Sequence, residues 1–87
     1  MATKRSNSKS GWTRNDSALV RTVTFPSFVD AIAFVTRLAF YAESVDHHPD
    51  LAVSYRKVTV TWTTHDKGGV TSKDLAAAKF TDTLVRG

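Results

Sequence analysis

The chain has 87 residues, no cysteine, three histidines, and twelve Lys and Arg against eight Asp and Glu, a formal charge of +4. This length allows one small domain near the lower limit for stability by burial alone, so self-association is the expected extra source of stability; the lack of cysteine excludes disulfides and thiolate chemistry and suits a reducing cytoplasm. No apolar run is long enough to span a membrane and no signal-peptide core stands at the start; Lys4, Arg5, Lys9 and Arg14 supply four of the basic residues in and beside a polar leader, so the charge is weak evidence for nucleic acid.

In chain order, residues 1–11 are rich in Ser, Asn, Lys and Thr with no apolar period, which predicts a disordered leader, and Trp12 opens a single domain over 12–87. Residues 18–25 (ALVRTVTF) read as a strand, with Leu19, Arg21, Val23 and Phe25 on one imperfect face. Pro26-Ser27 then opens a helix, with Ser27 as N-cap and Asp30 at the third helical position. Phe28, Ala31, Ile32, Val35, Leu38, Ala39 and Ala42 form its predicted core stripe, and Phe34 and Tyr41 fall on a different face. The helix must stop around 46–48, because Pro49 disfavours helical geometry in the residue before it.

Between 51 and 64 the alternation changes phase, since Leu51, Val53 and Tyr55 are odd and Val58, Val60 and Trp62 are even. One straight strand cannot keep both sets on one face. A reversal at Arg56-Lys57 can, pairing Tyr55 with Val58, Val53 with Val60 and Leu51 with Trp62 on the core face. That register sets His48 opposite His65, whereas a straight strand would hold them roughly 50 Å apart at about 3.3 Å per residue. Arg-Lys is poor chemistry for a two-residue turn, so a bulge is the competing solution. Residues 65–69 (HDKGG) form a turn. Residues 71–74 (TSKD) resemble a capping box and open a last helix with Leu75, Ala76, Ala77, Phe80, Leu84 and Val85 as its apolar residues.

The three histidines, His47, His48 and His65, admit three readings. Zinc ligation is poorly served, because adjacent extended residues point apart and the i, i+4 helical spacing is absent, so no metal site is assigned. Acid–base chemistry fits better: imidazoles exchange protons near neutrality, and Glu43 and Asp74 lie nearby in the predicted arrangement. The plain alternative is that His47 and His48 are turn residues at a helix C-terminus, favoured there by the helix dipole, with Asp74 a cap and Glu43 a solvated helix residue. No serine sits in a nucleophile elbow, Gly68-Gly69 alone is no phosphate loop, and basic residues are not interleaved with aromatics.

The run Glu43-Ser-Val-Asp-His47-His48-Pro49, followed at fixed gaps by Tyr55, His65 and Asp74, resembles the signature of the pterin-4a-carbinolamine dehydratases, or 4a-hydroxytetrahydrobiopterin dehydratases. The resemblance extends from Trp12 through the last helix, including Leu19-x-Arg21 and the Thr-His-Asp-x-Gly-Gly turn. It implies an α+β fold, a four-stranded antiparallel sheet with helices on one face, assembling as a homodimer or homotetramer. The implied activity is loss of water from 4a-hydroxytetrahydropterin to give quinonoid dihydropterin, in cytoplasmic tetrahydrobiopterin recycling, with no cofactor beyond the pterin substrate. By the same resemblance, His47, His48 and His65 form the catalytic set. His47 and His65 act as general acids and His48 chiefly holds the pterin. Glu43, Asp46, Pro49, Thr63, Thr64 and Asp66 line the site, and Asp74 supports His65 or the pterin ring.

Two departures accompany the resemblance. The segment before Trp12 is short and polar where relatives carry an apolar helix-forming one, and Leu51 stands where many relatives place a tryptophan. The competing function is a non-catalytic dimerisation module of the coactivator type, which would have no need of all three histidines. A nucleic-acid binder resting on the basic leader is a weaker third reading, and its binding would vanish on deletion of residues 1–11.

Overall fold

The computed structural model describes residues 11–14, 17–64 and 68–86. The leader proper and the two site candidates His65 and Asp66 lie outside the described residues. The described chain runs β1 (Thr13–Arg14), β2 (Leu19–Thr24), α1 (Phe28–Val45), β3 (Asp50–Ser54), β4 (Lys57–Trp62) and α2 (Ser72–Arg86). The strands make one antiparallel sheet in the order β1-β2-β4-β3. Both helices pack on one face, the α+β arrangement the sequence implies.

Strand β2 shows why. Leu19 and Val23 point into the core while Thr22 and Thr24 are exposed, the period-two pattern of a half-buried strand. On the open face the hydroxyls of Thr22 and Thr59 meet at 3.0 Å across the β2–β4 pair. Arg21 shares the inward parity, and its guanidinium reaches Asp82 of α2 at 2.5 Å. The Trp12 indole N–H donates to the same carboxylate oxygen at 2.9 Å.

Helix α1 begins and ends as local chemistry dictates. The Asp30 N–H donates to Ser27 Oγ at 3.1 Å, and the Ser27 hydroxyl donates to Asp30 Oδ2 at 3.0 Å. At the other end Asp46 adopts the left-handed region (φ 53, ψ 45), and the His47 N–H donates to Ala42 O at 3.1 Å. This closes carbonyls that the helix end would leave unpaired. The face differs from the predicted stripe. Ala31, Phe34, Leu38 and Ala42 are buried with Val35 and Tyr41 packed beside them, whereas Phe28 and Ile32 are 50% and 39% exposed. Both stripes have helical spacing, and aromatic contacts select between them. Phe34 meets Phe25 with ring centroids 4.9 Å apart, and Tyr41 stacks on Phe80 at 4.2 Å and meets the edge of Trp62 at 6.2 Å.

The β3–β4 hairpin exists, but its reversal is Tyr55-Arg56, with Tyr55 at φ 55. Leu51 pairs with Val60, and Val53 with Val58, two residues from the predicted register. A shift of two keeps every side chain on its expected face, so hydrophobic alternation cannot distinguish the two registers. The bond from Phe25 N–H to Arg56 O, 2.9 Å, anchors the turn against the end of β2. Counted past the strand ends, this register sets His47 against Thr64; the expected pairing of His48 with His65 lies outside the described residues. Leu51, Val53 and Tyr55 are also not core residues. Leu51 and Val53 belong to the edge strand β3 and Tyr55 to the turn that follows it, and all three are exposed.

The centre of the core is Trp62, fully buried with Phe34, Leu38, Val58 and Val60. A buried indole N–H needs an acceptor, and Thr81 of α2 supplies it at 3.1 Å. The Thr81 hydroxyl proton in turn goes to Ala77 O at 2.7 Å. Trp62 is thereby fixed in position as well as buried.

Candidate active site

His47 follows directly on the left-handed Asp46, so the helix C-cap aims it inward. Its imidazole lies on the Trp62 ring, with centroids 5.3 Å apart and planes 22° from parallel. Its Nε2 sits 2.6 Å from Asp74 Oδ1. The His47 side chain is 11% exposed and that of Asp74 is 0% exposed. His48 has a different partner, its Nε2 lying 2.7 Å from Glu43 Oε2 with both side chains exposed. Asp46 is exposed at the helix end and Pro49 half-buried.

Asp74 gathers the site from three directions. Its Oδ2 accepts the Thr64 hydroxyl at 2.7 Å and the Thr71 N–H at 2.9 Å, while Oδ1 faces His47. The bond to the Thr71 N–H is one half of the expected capping box. The other half is missing, because the Thr71 hydroxyl turns to Thr64 Oγ1 at 2.8 Å. Thr64 also pairs both ways with the backbone of Gly69, at 3.0 and 3.3 Å. Thr63 stands apart, its hydroxyl donating to Ser17 O. The structure therefore joins His47, Thr64 and Asp74 in one network and His48 with Glu43 in a second.

Burial pushes the Asp74 carboxyl up. Hydrogen bonds from Thr64, His47 and the Thr71 N–H, together with the charge of His47, outweigh it and hold the carboxyl below its ordinary value. A depressed folded-state pKa stabilises the fold above the unfolded value of about 3.9, and that contribution is lost as pH falls through the folded value. Thermal melts from about pH 7 to about pH 3 should therefore fall more steeply below about pH 4 for the wild type than for Asp74→Asn. Parallel curves would contradict this linkage.

His47 forms one wall of a pocket of about 200 Å³ with Tyr41, Val45, Lys73 and Ala76. Sequence reasoning did not assign Tyr41, Val45, Lys73 or Trp62 to the site. Tyr41 and Val45 stand one turn apart on the last turns of α1, and Lys73 precedes Asp74, so spacing carried a signal for three of them. A larger cavity of about 430 Å³, lined by Trp12, Arg14, Leu19, Leu75, Ala78, Lys79 and Asp82, contains no histidine. Its one carboxylate is already engaged by Trp12 and Arg21. Among the described residues no three His, Cys, Asp or Glu side chains gather as metal ligands, and no helix is long and apolar enough to cross a membrane.

The chain as a whole is similar to known proteins. The family model described as Pterin 4 alpha carbinolamine dehydratase matches residues 1–84. A protein of Mycobacteroides abscessus, provisionally named as a pterin-4-alpha-carbinolamine dehydratase, is 52% identical over 75 residues, covering 86% of this chain and 80% of its own. A similarly named protein of Trichormus variabilis is 55% identical over 69 residues, covering 79% and 74%. Among solved structures, a transcriptional coactivator/pterin dehydratase from Brucella melitensis superimposes with a TM-score of 0.82 at 31% identity over 97% of both chains. A pterin dehydratase-like protein identified as a RuBisCO assembly factor in the alpha-carboxysome shares the fold, with a TM-score of 0.74 at 22% identity over 86% of this chain and 89% of its own.

Proposed function

Because the chain belongs to the pterin 4 alpha carbinolamine dehydratase family, we propose that it is a hydro-lyase that removes water from a 4a-hydroxytetrahydropterin to give the quinonoid dihydropterin. The observation that carries this reading is His47, a proton-exchanging ring held at a pocket wall between Trp62 and the buried carboxylate of Asp74. Loss of the 4a-hydroxyl requires a proton on the departing oxygen and removal of one from a ring nitrogen. Imidazoles serve both steps near neutrality, without metal or organic cofactor. In this reading His47 and His65 are the general acids. His48, braced by Glu43, holds the pterin, and Asp46, Pro49, Thr63, Thr64 and Asp66 shape the surroundings. The place of work is the cytoplasm, and nucleic acid has no part.

The reading includes self-association. Edge strand β3 carries exposed Leu51 and Val53, and an apolar edge of this kind is a template for strand pairing with a second copy. The same edge supports the competing reading, an interaction module without catalysis, as does the description of the Brucella melitensis relative as a coactivator as well as a dehydratase.

Steady-state kinetics of 4a-hydroxytetrahydropterin loss separate the two. For a dehydratase, His65→Ala lowers kcat by roughly 10²–10⁴-fold, the range for loss of a general acid, while His48→Ala acts mainly on KM. An interaction module accelerates nothing and keeps its oligomeric state in both variants.

A further inference from the structure

Asp74 determines which nitrogen of His47 is available to a substrate. The Thr71 N–H on Oδ2, at 2.9 Å, can only donate, and the Thr64 hydroxyl joins it there at 2.7 Å. Oδ1 is left facing His47 Nε2 at 2.6 Å. An ionised carboxylate only accepts, so Nε2 carries the hydrogen of that bond. Neutral His47 then has a bare Nδ1, and in its protonated form the Nδ1–H is the one proton not committed to Asp74. A half-turn of the ring would put a carbon against Oδ1 and lose the bond, and the Trp62 ring lies flat beneath the imidazole.

We infer that Asp74 is a positioning residue that holds His47 in the Nε2–H tautomer and makes Nδ1 the nitrogen that exchanges a proton with the pterin. The role in turnover rests on the dehydratase reading; the tautomer does not. In the elimination, Nδ1–H gives its proton to the 4a-hydroxyl, and the C–O bond breaks with its electron pair leaving on oxygen as water. The ring nitrogen of the substrate releases its proton, which returns through solvent or directly to Nδ1, so protons balance over one cycle.

The test is Asp74→Asn. The amide oxygen must stay on the Thr71 N–H, which accepts nothing, so the amide NH₂ turns to His47 and donates to Nε2. That drives the hydrogen to Nδ1. Long-range ¹H–¹⁵N spectra of the neutral imidazole, with the His47 signals identified by their loss in His47→Gln, should show protonated Nε2 in the wild type and protonated Nδ1 in Asp74→Asn. The variant should keep its fold, hold KM, and lose roughly 10²–10⁴-fold in kcat. The same protonated nitrogen in both proteins overturns the inference. A reversed tautomer with unchanged kcat overturns the assignment of Nδ1 as the working nitrogen. A wild type with the Nε2–H tautomer but no turnover overturns the dehydratase reading and leaves the tautomer assignment standing.

Discussion

His47→Ala is expected to lower kcat for 4a-hydroxytetrahydropterin dehydration by roughly 10²–10⁴-fold, the contribution of a positioned general acid, while the protein stays folded. The ring belongs to the pocket wall rather than the middle of the core, so its removal enlarges a space of about 200 Å³ that already has Asp74 on one side. Water entering there can donate to Asp74 Oδ1 in place of Nε2. The Thr64 and Thr71 bonds to Oδ2 do not involve His47 and persist. The stability cost is that of one charge-assisted hydrogen bond and a ring contact, about 1–3 kcal/mol. Steady-state kinetics beside a thermal melt check both halves. A folded variant with kcat within about twofold of wild type would remove His47 from the chemistry.

Trp62→Ala should have the largest effect on stability, about 3–5 kcal/mol. Its side chain is fully buried and contacts both Tyr41 and His47 through its rings. Truncation leaves a cavity, takes the indole N–H from Thr81, and removes the platform beneath His47. For a domain of this size each kcal/mol moves the melting temperature by about 4–8 °C. A fall of about 15–30 °C is therefore expected by calorimetry. Trp62→Phe keeps an aromatic platform and should cost less than half as much while retaining turnover. A Trp62→Ala melt within a few degrees of wild type would contradict the central place given to this ring.

Local chemistry was the legible part of this chain. The Ser27 cap, the break at Asp46 before His47-His48-Pro49 and the inward face of β2 each depend on neighbours within a few residues. Choices between equivalent periodic solutions were not legible. Two stripes on α1 have helical spacing, and only the tertiary contacts of Phe34 and Tyr41 choose between them. Two hairpin registers put the same residues on the same face, and the turn at Tyr55-Arg56 carries no glycine or asparagine to mark it.

The site divides in the same way. Histidine chemistry directed attention to His47 and His48, whose rings take different carboxylate partners, Asp74 and Glu43. Asp74 was expected near the histidines as support for His65 or the pterin ring; its pairing with His47, 27 residues away in sequence, was not legible, because the residue already had a sufficient local role as a helix cap. One carboxylate performs both tasks, with Oδ2 on the cap and Oδ1 on the imidazole. Trp62 was misplaced for a related reason, since the predicted register set it against Leu51 rather than leaving its face for His47.

The most direct test of the whole account is the rate at which purified wild-type protein accelerates the disappearance of 4a-hydroxytetrahydropterin over the spontaneous reaction at neutral pH, followed by stopped assay. The account predicts a saturable acceleration that falls away in His47→Ala at equal folded concentration. A wild-type rate equal to that of buffer alone would contradict it.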